Sequence, residues 1–298
     1  MPTARSGLSR MSPAGRLLGR RLREGLPLAP FLGFVVIFLI IPTVTVIVSS
    51  VYSDGVFSLE RIQALFSDTA LAALWKSVLL SGSTAILGAV LGAILAWLIV
   101  SSPRTSIFRR AVISMCSVLA QFGGVALAFA FLATIGLNGV LTLWVQDRFG
   151  FNLAGAGWLY SLTGLILVYT YFQIPLMVIV FVPALEGLRE QWREAAVGLG
   201  ASTWQYWRQV AFPLLTPAFL GSTLLLFANA FAAYATAAAL VSQGSPILPL
   251  LIRSALTSEV VLGQSGFAYA LALEMIVVVA AVMIAYGALV RRTARWLQ

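Results

Sequence analysis

The residue types that most often carry enzymatic chemistry are scarce in this chain. It contains no histidine, which excludes a serine–histidine triad, a histidine metal site and histidine acid–base catalysis. The only lysine, Lys76, lies outside any glycine-rich loop, so the sequence offers no phosphate-binding motif. The only cysteine, Cys116, lies in an apolar segment and is expected to pack as a buried thiol. We therefore expect no catalytic residue, metal ligand or bound cofactor in this chain.

Polar residues that interrupt the long apolar segments could instead contact a polar solute. An ionised carboxylate at the centre of a membrane helix costs about 2.5 to 3.5 kcal/mol on insertion scales, so Glu274 must face protein or water. Glu274 either attracts a cationic solute in a polar pathway or hydrogen-bonds a neighbouring helix. The same choice between lining a pathway and packing between helices applies to four further residues: Gln121, Gln173, Asn229 and Tyr234.

The elements that hold these residues are predicted to cross a membrane. The 298 residues are 60% hydrophobic and 10% charged, whereas soluble domains carry about 25% charged residues. Apolar residues form continuous segments of about 20 residues or more, which is the length that a helix needs to span the hydrocarbon core. The sequence therefore predicts an all-α membrane protein with six transmembrane helices, at 29–52, 71–101, 108–135, 158–183, 213–241 and 266–290.

The basic residues predict the orientation of these helices. Most of the 19 lysine and arginine residues lie in the N-terminal tail, in the second and fourth connections and at the C-terminus, so both termini are expected to be cytoplasmic. This placement explains the net charge of +9 without a nucleic-acid partner. We divide the chain into a basic tail (1–28), a first helix with its outward connection (29–70), a core (71–290) and a second basic tail (291–298). The outward connection at 136–157 is expected to be irregular.

The cytoplasmic connection between the fourth and fifth predicted helices is amphipathic and favours helix. Gly200 can adopt the left-handed conformation that ends a helix, and Ser202 followed by Gln205 fits a capping box at the start of the next. Pro213 suits the first turn of the following transmembrane helix. Residues 188–210 are therefore predicted to form two short helices joined by a turn, lying against the membrane surface.

The same connection carries a recognisable motif. Glu194, Ala195 and Ala196 are followed by Gly200, six positions after the glutamate, and by Val210 three positions before a proline. This pattern resembles the EAA signature of permease subunits of ATP-binding-cassette importers, although Phe212 stands where leucine is usual. The resemblance covers residues 71–290 and implies the type I importer permease fold. It also implies docking onto a cytoplasmic ATPase through these residues: Glu194, Ala195, Ala196, Gly200, Ala201 and Ser202. The alternative is an amphipathic loop resting on lipid headgroups.

The resemblance also implies an assembly and a location. Two ATPase subunits would bind ATP and magnesium, a second permease chain would complete the pathway, and an extracytoplasmic solute-binding protein would deliver the solute at a bacterial cytoplasmic membrane. Residues 226–236 are similar to permeases for polyamines and aminophosphonates, so a small charged organic solute such as a polyamine is expected. Two other functions stay open: an ion-coupled secondary transporter, for which no internal inverted repeat is found, and an intramembrane hydrolase using Ser77 and Lys76.

Overall fold

The described part of the chain is almost entirely helical. The computed structural model describes residues 28–53, 56–57, 60–103, 105–241, 247–257 and 265–294. In the N-terminal half the helices are α1 (Ala29–Val51, with a π-helical turn at Val36–Ile40), α2 (Glu60–Gln63), α3 (Asp68–Ser101), α4 (Ile107–Gln121), α5 (Gly124–Ile135) and α6 (Val140–Phe149). In the C-terminal half they are α7 (Leu162–Glu186), α8 (Glu190–Gly198), α9 (Thr203–Tyr206), α10 (Phe212–Ala232), α11 (Ala235–Leu240), α12 (Leu248–Thr257) and α13 (Ser265–Ala294). A two-residue hairpin pairs β1 (Tyr52–Ser53) with β2 (Val56–Phe57).

Among the described residues, six helices are long and apolar enough to cross a membrane, which confirms the predicted number. Five of them correspond to the predicted segments, and the third is Gly124–Phe149, which combines α5 and α6. The predicted third helix at 108–135 was wrong as a single helix, because α4 ends at Gln121 and Gly124 begins α5 with a φ of +74°. A left-handed backbone at this position interrupts the helix, and only glycine adopts it without strain.

The fifth predicted helix, at 213–241, was also too long. Its main part, α10, ends at Ala232, and α11 starts again at Ala235 after a short non-helical step. Hydropathy could not reveal this break, because the residues on both sides of it are apolar. Another difference lies in the connection at 136–157, where the ten-residue α6 stands in a segment predicted to be irregular.

The centre of the bundle is formed by α3, α7 and α10, which pack closely on one another. Gly88 and Gly92 of α3 allow α7 to approach: a Cβ atom added at Gly88 would lie 2.6 Å from the Cβ of Gln173, and one at Gly92 would lie 2.5 Å from the Cβ of Met177. These two glycines, spaced four residues apart, therefore serve helix packing. By contrast, α1 buries little surface and contacts mainly α13.

The predicted basic tails, 1–28 and 291–298, overlap the described residues only at residue 28 and at residues 291–294. Residues 1–27 and 295–298 lie outside the described part of the chain, so the basic N-terminal tail and the end of the C-terminal tail stay predictions. The cytoplasmic position of both termini is likewise a prediction from charge.

Candidate coupling segment and pathway wall

Residues 188–210 form the candidate coupling segment, and its first helix, α8, ends in a complete glycine cap. α8 is followed by Gly200 with a φ of +81°. The Gly200 amide donates to the Val197 carbonyl and the Ala201 amide donates to the Ala196 carbonyl, both at 2.9 Å. This pair of bonds is the Schellman motif, which satisfies carbonyl groups that a helix end leaves free. The predicted helix end at Gly200 is confirmed.

The second element begins at the predicted capping box. The Ser202 hydroxyl accepts a hydrogen bond from the Gln205 amide at 3.3 Å, and the Gln205 side chain accepts one from the Ser202 amide at 2.7 Å. The helix then continues through a π-helical turn (Trp207–Ala211) into α10, with Pro213 in the first turn. Because proline has no amide to donate to the carbonyl four residues earlier, a wider turn at this point is physically reasonable. α9, the π-helical turn and α10 therefore form one continuous rod, Thr203–Ala232, which is the fifth candidate membrane helix.

The surface of this segment is open. Glu194, Ala195, Gly200 and Ser202 are exposed, and Ala196 and Ala201 are half-buried. α8 contains no buried residue. Large apolar side chains stand beside the motif with exposed fractions that are unusual outside a lipid contact: 60% for Val197, 89% for Leu199 and 66% for Trp204.

An ion pair lies at the base of the segment and was not found by the sequence reasoning. Arg109, in the first turn of α4, pairs with Glu186, the last residue of α7, and also donates to the Ser102 carbonyl at 3.2 Å. Arg109 is buried, with 5% of its surface exposed. The sequence placed Arg109 among cytoplasmic loop residues, and its 77-residue separation from Glu186 concealed the contact.

The first helix break lies between α4 and α5, and the second lies between α10 and α11. The two breaks lie side by side. The Gly124 amide at the start of α5 donates to the Thr236 hydroxyl of α11 at 2.9 Å, and the Tyr169 hydroxyl of α7 donates to the Ala233 carbonyl at 2.6 Å. In each break, therefore, a backbone group forms a hydrogen bond with a side chain from another helix: the Gly124 amide with Thr236, and the Ala233 carbonyl with Tyr169. Buried backbone groups need such partners, so both breaks are built into the fold.

Three predicted pathway residues lie on the exposed or half-exposed surface near these breaks. Gln121 ends α4 and is exposed, Asn229 is exposed on α10, and Tyr234 stands half-exposed in the second break. Gln173 is instead fully buried and donates to the Leu226 carbonyl at 2.7 Å. Its oxygen accepts a long hydrogen bond, 3.4 Å, from the Asn229 side chain. Gln173 thus braces the turn of α10 that displays Asn229.

Arg253 of α12 is a further polar residue here, and it is not among the candidate residues taken from the sequence. Its guanidinium donates to the Tyr234 hydroxyl at 2.5 Å and lies 5.8 Å from the centre of the Tyr234 ring. We call the group Gln121, Asn229, Tyr234 and Arg253 the polar wall. Nothing in the sequence around Arg253 indicated that this arginine would contact Tyr234 at the second break.

The remaining predicted residues lie elsewhere. Glu274 is half-buried on α13, three residues after the fully buried Leu271, and its Oε2 atom has no hydrogen-bond partner among the described residues. The Ser77 hydroxyl is buried and accepts a hydrogen bond from the Leu248 amide at 2.7 Å, which ties α12 to α3. Ser77 is therefore engaged in a structural contact. Within the described ranges, no group of three or more histidine, cysteine, aspartate or glutamate residues could hold a metal ion.

The sequence matches, over residues 11–295, the family described as the binding-protein-dependent transport system inner membrane component. The chain belongs to this family. Its members are permease components of transport systems that use a binding protein, and the recognition of an importer permease from the EAA-like motif is thereby confirmed. It is a multi-pass membrane protein with six candidate membrane helices.

Named permease proteins are similar to about two thirds of the chain. The ferric transport system permease protein FbpB of Actinobacillus pleuropneumoniae is 24% identical over 196 residues, which are 65% of this chain and 28% of the relative. The sulfate transport system permease protein CysW of Escherichia coli K12 is 28% identical over 192 residues, which are 64% of this chain and 62% of the relative. The aligned part therefore spans about a quarter of the first relative and under two thirds of the second.

The fold is also that of solved importer structures. A chain of a bacterial alginate ABC transporter, in complex with alginate pentasaccharide-bound periplasmic protein, superposes with a TM-score of 0.69 at 15% identity, covering 92% of this chain and 96% of that chain. At this identity the likeness concerns the fold alone. The predicted type I importer permease fold is confirmed.

Proposed function

We propose that this chain is the permease subunit of an ATP-driven importer and that its EAA-like segment couples the membrane helices to a cytoplasmic ATPase. The main support is the open surface around Gly200. Val197, Leu199 and Trp204 expose apolar side chains next to the motif, and the caps on both sides fix the backbone that presents them. A partner protein with an apolar groove would cover these side chains, with Glu194 free to pair with a basic residue of that partner.

The connection to the membrane is mechanical. α9, the π-helical turn and α10 form one rod, so a displacement of the segment moves α10 and the second break directly. On this proposal Glu194, Ala195, Ala196, Gly200, Ala201 and Ser202 contact the ATPase. Gln121, Asn229 and Tyr234 line the translocation pathway, Gln173 braces Asn229, and Glu274 belongs to the packing of α13.

The assembly follows from the same assignment. Two ATPase subunits bind ATP and magnesium, while this chain binds neither, and a second permease chain covers the polar wall. A solute-binding protein delivers the solute from outside a bacterial cytoplasmic membrane. The solute is small and charged: the relatives named above carry ferric ions and sulfate, and neither is a polyamine permease. The family assignment disfavours the secondary transporter and the hydrolase.

Site-directed crosslinking tests the coupling assignment. In a chain whose buried Cys116 is replaced by serine, Leu199→Cys should form a disulfide or bifunctional crosslink to a co-purified ATPase, and the yield should change when ATP is added. Phe66→Cys is the matched control, because Phe66 is also highly exposed but lies in the outward connection. Absence of any ATPase in the complex, or equal crosslinking at both positions, would contradict the proposal.

A further inference from the structure

The polar wall carries a single charge. In α4, α5, α10, α11 and α12 the charged residues are Arg109 and Arg110, in the first turn of α4, and Arg253. Arg109 is already paired with Glu186 near the coupling segment. Among the charged residues of these five helices, Arg253 is the one that contacts the second break, through Tyr234.

The charge of Arg253 is not neutralised by the described residues. Its contacts are the hydroxyl and the ring face of Tyr234, and no carboxylate of the described residues lies within 4.0 Å of it. A guanidinium has five N–H donors in a planar fork, and the bond to Tyr234 uses one of them. The aromatic ring holds the fork in place, while the remaining donors stay available on an exposed side chain.

The helix that carries Arg253 is anchored. Leu248, Pro249 and Ala255 are buried where α12 packs on α3 and α13, and the Leu248 amide is held by the Ser77 hydroxyl. Arg253 is thus fixed beside the second break by packing on one side and by Tyr234 on the other. An arginine fixed in this way is suited to two parallel hydrogen bonds with an oxyanion.

We propose that Arg253, oriented by Tyr234, is an anion-recognising group of the translocation pathway, and that the transported solute carries an oxyanion such as a sulfate or a phosphonate group. This inference rests on the proposed function and names its solute class. It replaces the expectation of a cationic polyamine, which a fixed guanidinium without a carboxylate partner among the described residues would repel. The aminophosphonate alternative remains compatible, because that solute carries an oxyanion.

A test of the local potential needs no knowledge of the solute. Ala232 is exposed, two residues before Tyr234, so Ala232→Cys in a Cys116→Ser background reports the potential at the wall. The complete importer in phosphatidylcholine nanodiscs is reacted with anionic sulfonatoethyl and cationic trimethylammonioethyl methanethiosulfonate. We expect Arg253→Gln to lower the anion-to-cation rate ratio by about tenfold and Arg253→Lys to preserve it. Arg148→Gln, which removes an exposed arginine from α6, should leave the ratio unchanged. An unchanged ratio in Arg253→Gln would overturn the proposal.

Uptake into proteoliposomes provides the second arm, with radiolabelled sulfate, molybdate and methylphosphonate against putrescine, each with the cognate binding protein. Oxyanion uptake should fall by at least about tenfold in Arg253→Gln, and Arg253→Lys should restore it only in part because lysine lacks the fork. Transport of putrescine and of none of the oxyanions would overturn the proposal. A loss of oxyanion uptake that occurs only in vesicles containing phosphatidylglycerol would also overturn it, because it would assign Arg253 to lipid headgroups. The ATPase activity that the binding protein stimulates is recorded in each experiment. If this activity is absent, the proposed function is refuted. If it is present and Arg253→Gln transports normally, only the anion site is refuted.

Discussion

The Arg109 guanidinium and the Glu186 carboxylate form an ion pair that joins the start of α4 to the end of α7, four residues before α8, the first helix of the candidate coupling segment. The two partners differ in burial: 6% of the Arg109 side chain is exposed, against 37% for Glu186. Arg109 also bonds the Ser102 carbonyl, so one side chain connects the α3–α4 turn, α4 and α7. The start of the candidate coupling segment is therefore held by an ion pair in which the arginine is buried and the glutamate is partly exposed to water.

This asymmetry predicts unequal effects of removing either partner. Glu186→Gln leaves a buried guanidinium without its counter-charge and should cost about 3 kcal/mol of stability. Arg109→Met leaves a carboxylate that water can reach and should cost about 1 kcal/mol. Thermal unfolding of the detergent-solubilised complex measures the difference, with Glu190→Gln, an exposed position in α8, as the control. Equal losses for the two variants would show that burial of Arg109 does not govern the pair.

The close approach of α3 and α7 predicts intolerance of added side-chain volume. Gly88→Ala and Gly92→Ala would place a methyl group within 2.6 Å of a Cβ atom on α7, and such overpacking typically costs about 1 to 3 kcal/mol. Gly82→Ala, on the same helix, meets nothing within 4 Å and should be neutral or stabilising. Unfolding temperatures of the three variants provide the measurement, and a destabilised Gly82→Ala would contradict this interpretation.

The left-handed conformation of Gly200 predicts a coupling defect. A side chain there strains the backbone by about 1 to 2 kcal/mol, although no described residue other than its chain neighbours lies within 4 Å of the new Cβ. Gly200→Val should therefore reduce transport per ATP hydrolysed while membrane insertion and complex assembly stay normal. Gly198→Ala is the control, because it lies within α8 and is equally unobstructed. Normal coupling in Gly200→Val would count against the docking assignment.

The hydrogen bond from Tyr169 to the second helix break predicts a local loss of stability. Tyr169→Phe leaves the Ala233 carbonyl without this partner and should cost about 1 to 3 kcal/mol. Tyr171→Phe removes a hydroxyl from a more exposed position of the same helix and keeps the ring contact with Phe131, so it should be nearly neutral. Hydrogen exchange at residues 233–237 should rise in Tyr169→Phe only, and equal exchange in both variants would exclude the bracing role.

The placement of Glu274 predicts that this carboxylate is dispensable for transport. Its Oε2 atom is buried without a partner among the described residues, and Glu274 shares the packed face of α13 with Leu271 and Val278. Glu274→Gln should keep uptake within about twofold of the wild type and leave stability equal or higher, since glutamine matches glutamate in size and cannot carry a buried charge. A strong loss of uptake with intact assembly would return Glu274 to the pathway.

Much of the architecture follows from the sequence because it depends on local composition. Continuous apolar segments fix the number of membrane helices, and short-range chemistry fixes the coupling turn. Gly200 and the Ser202–Gln205 box act over a few residues, so the Schellman motif and the capping box were predictable. The approach of α7 to Gly88 and Gly92 was similarly visible as a spacing of small residues.

Contacts between distant segments were decided by the tertiary structure. The break at Gly124 depends on Thr236, 112 residues later, and the break after Ala232 depends on Tyr169. Hydropathy averages over such sites, so the segments at 108–135 and 213–241 were each predicted as one uninterrupted helix. Arg109 and Arg253 looked like ordinary loop charges until packing brought them to Glu186 and Tyr234. Local free energies determine where helices form and end, whereas the partner of a buried polar group is chosen only when the helices pack.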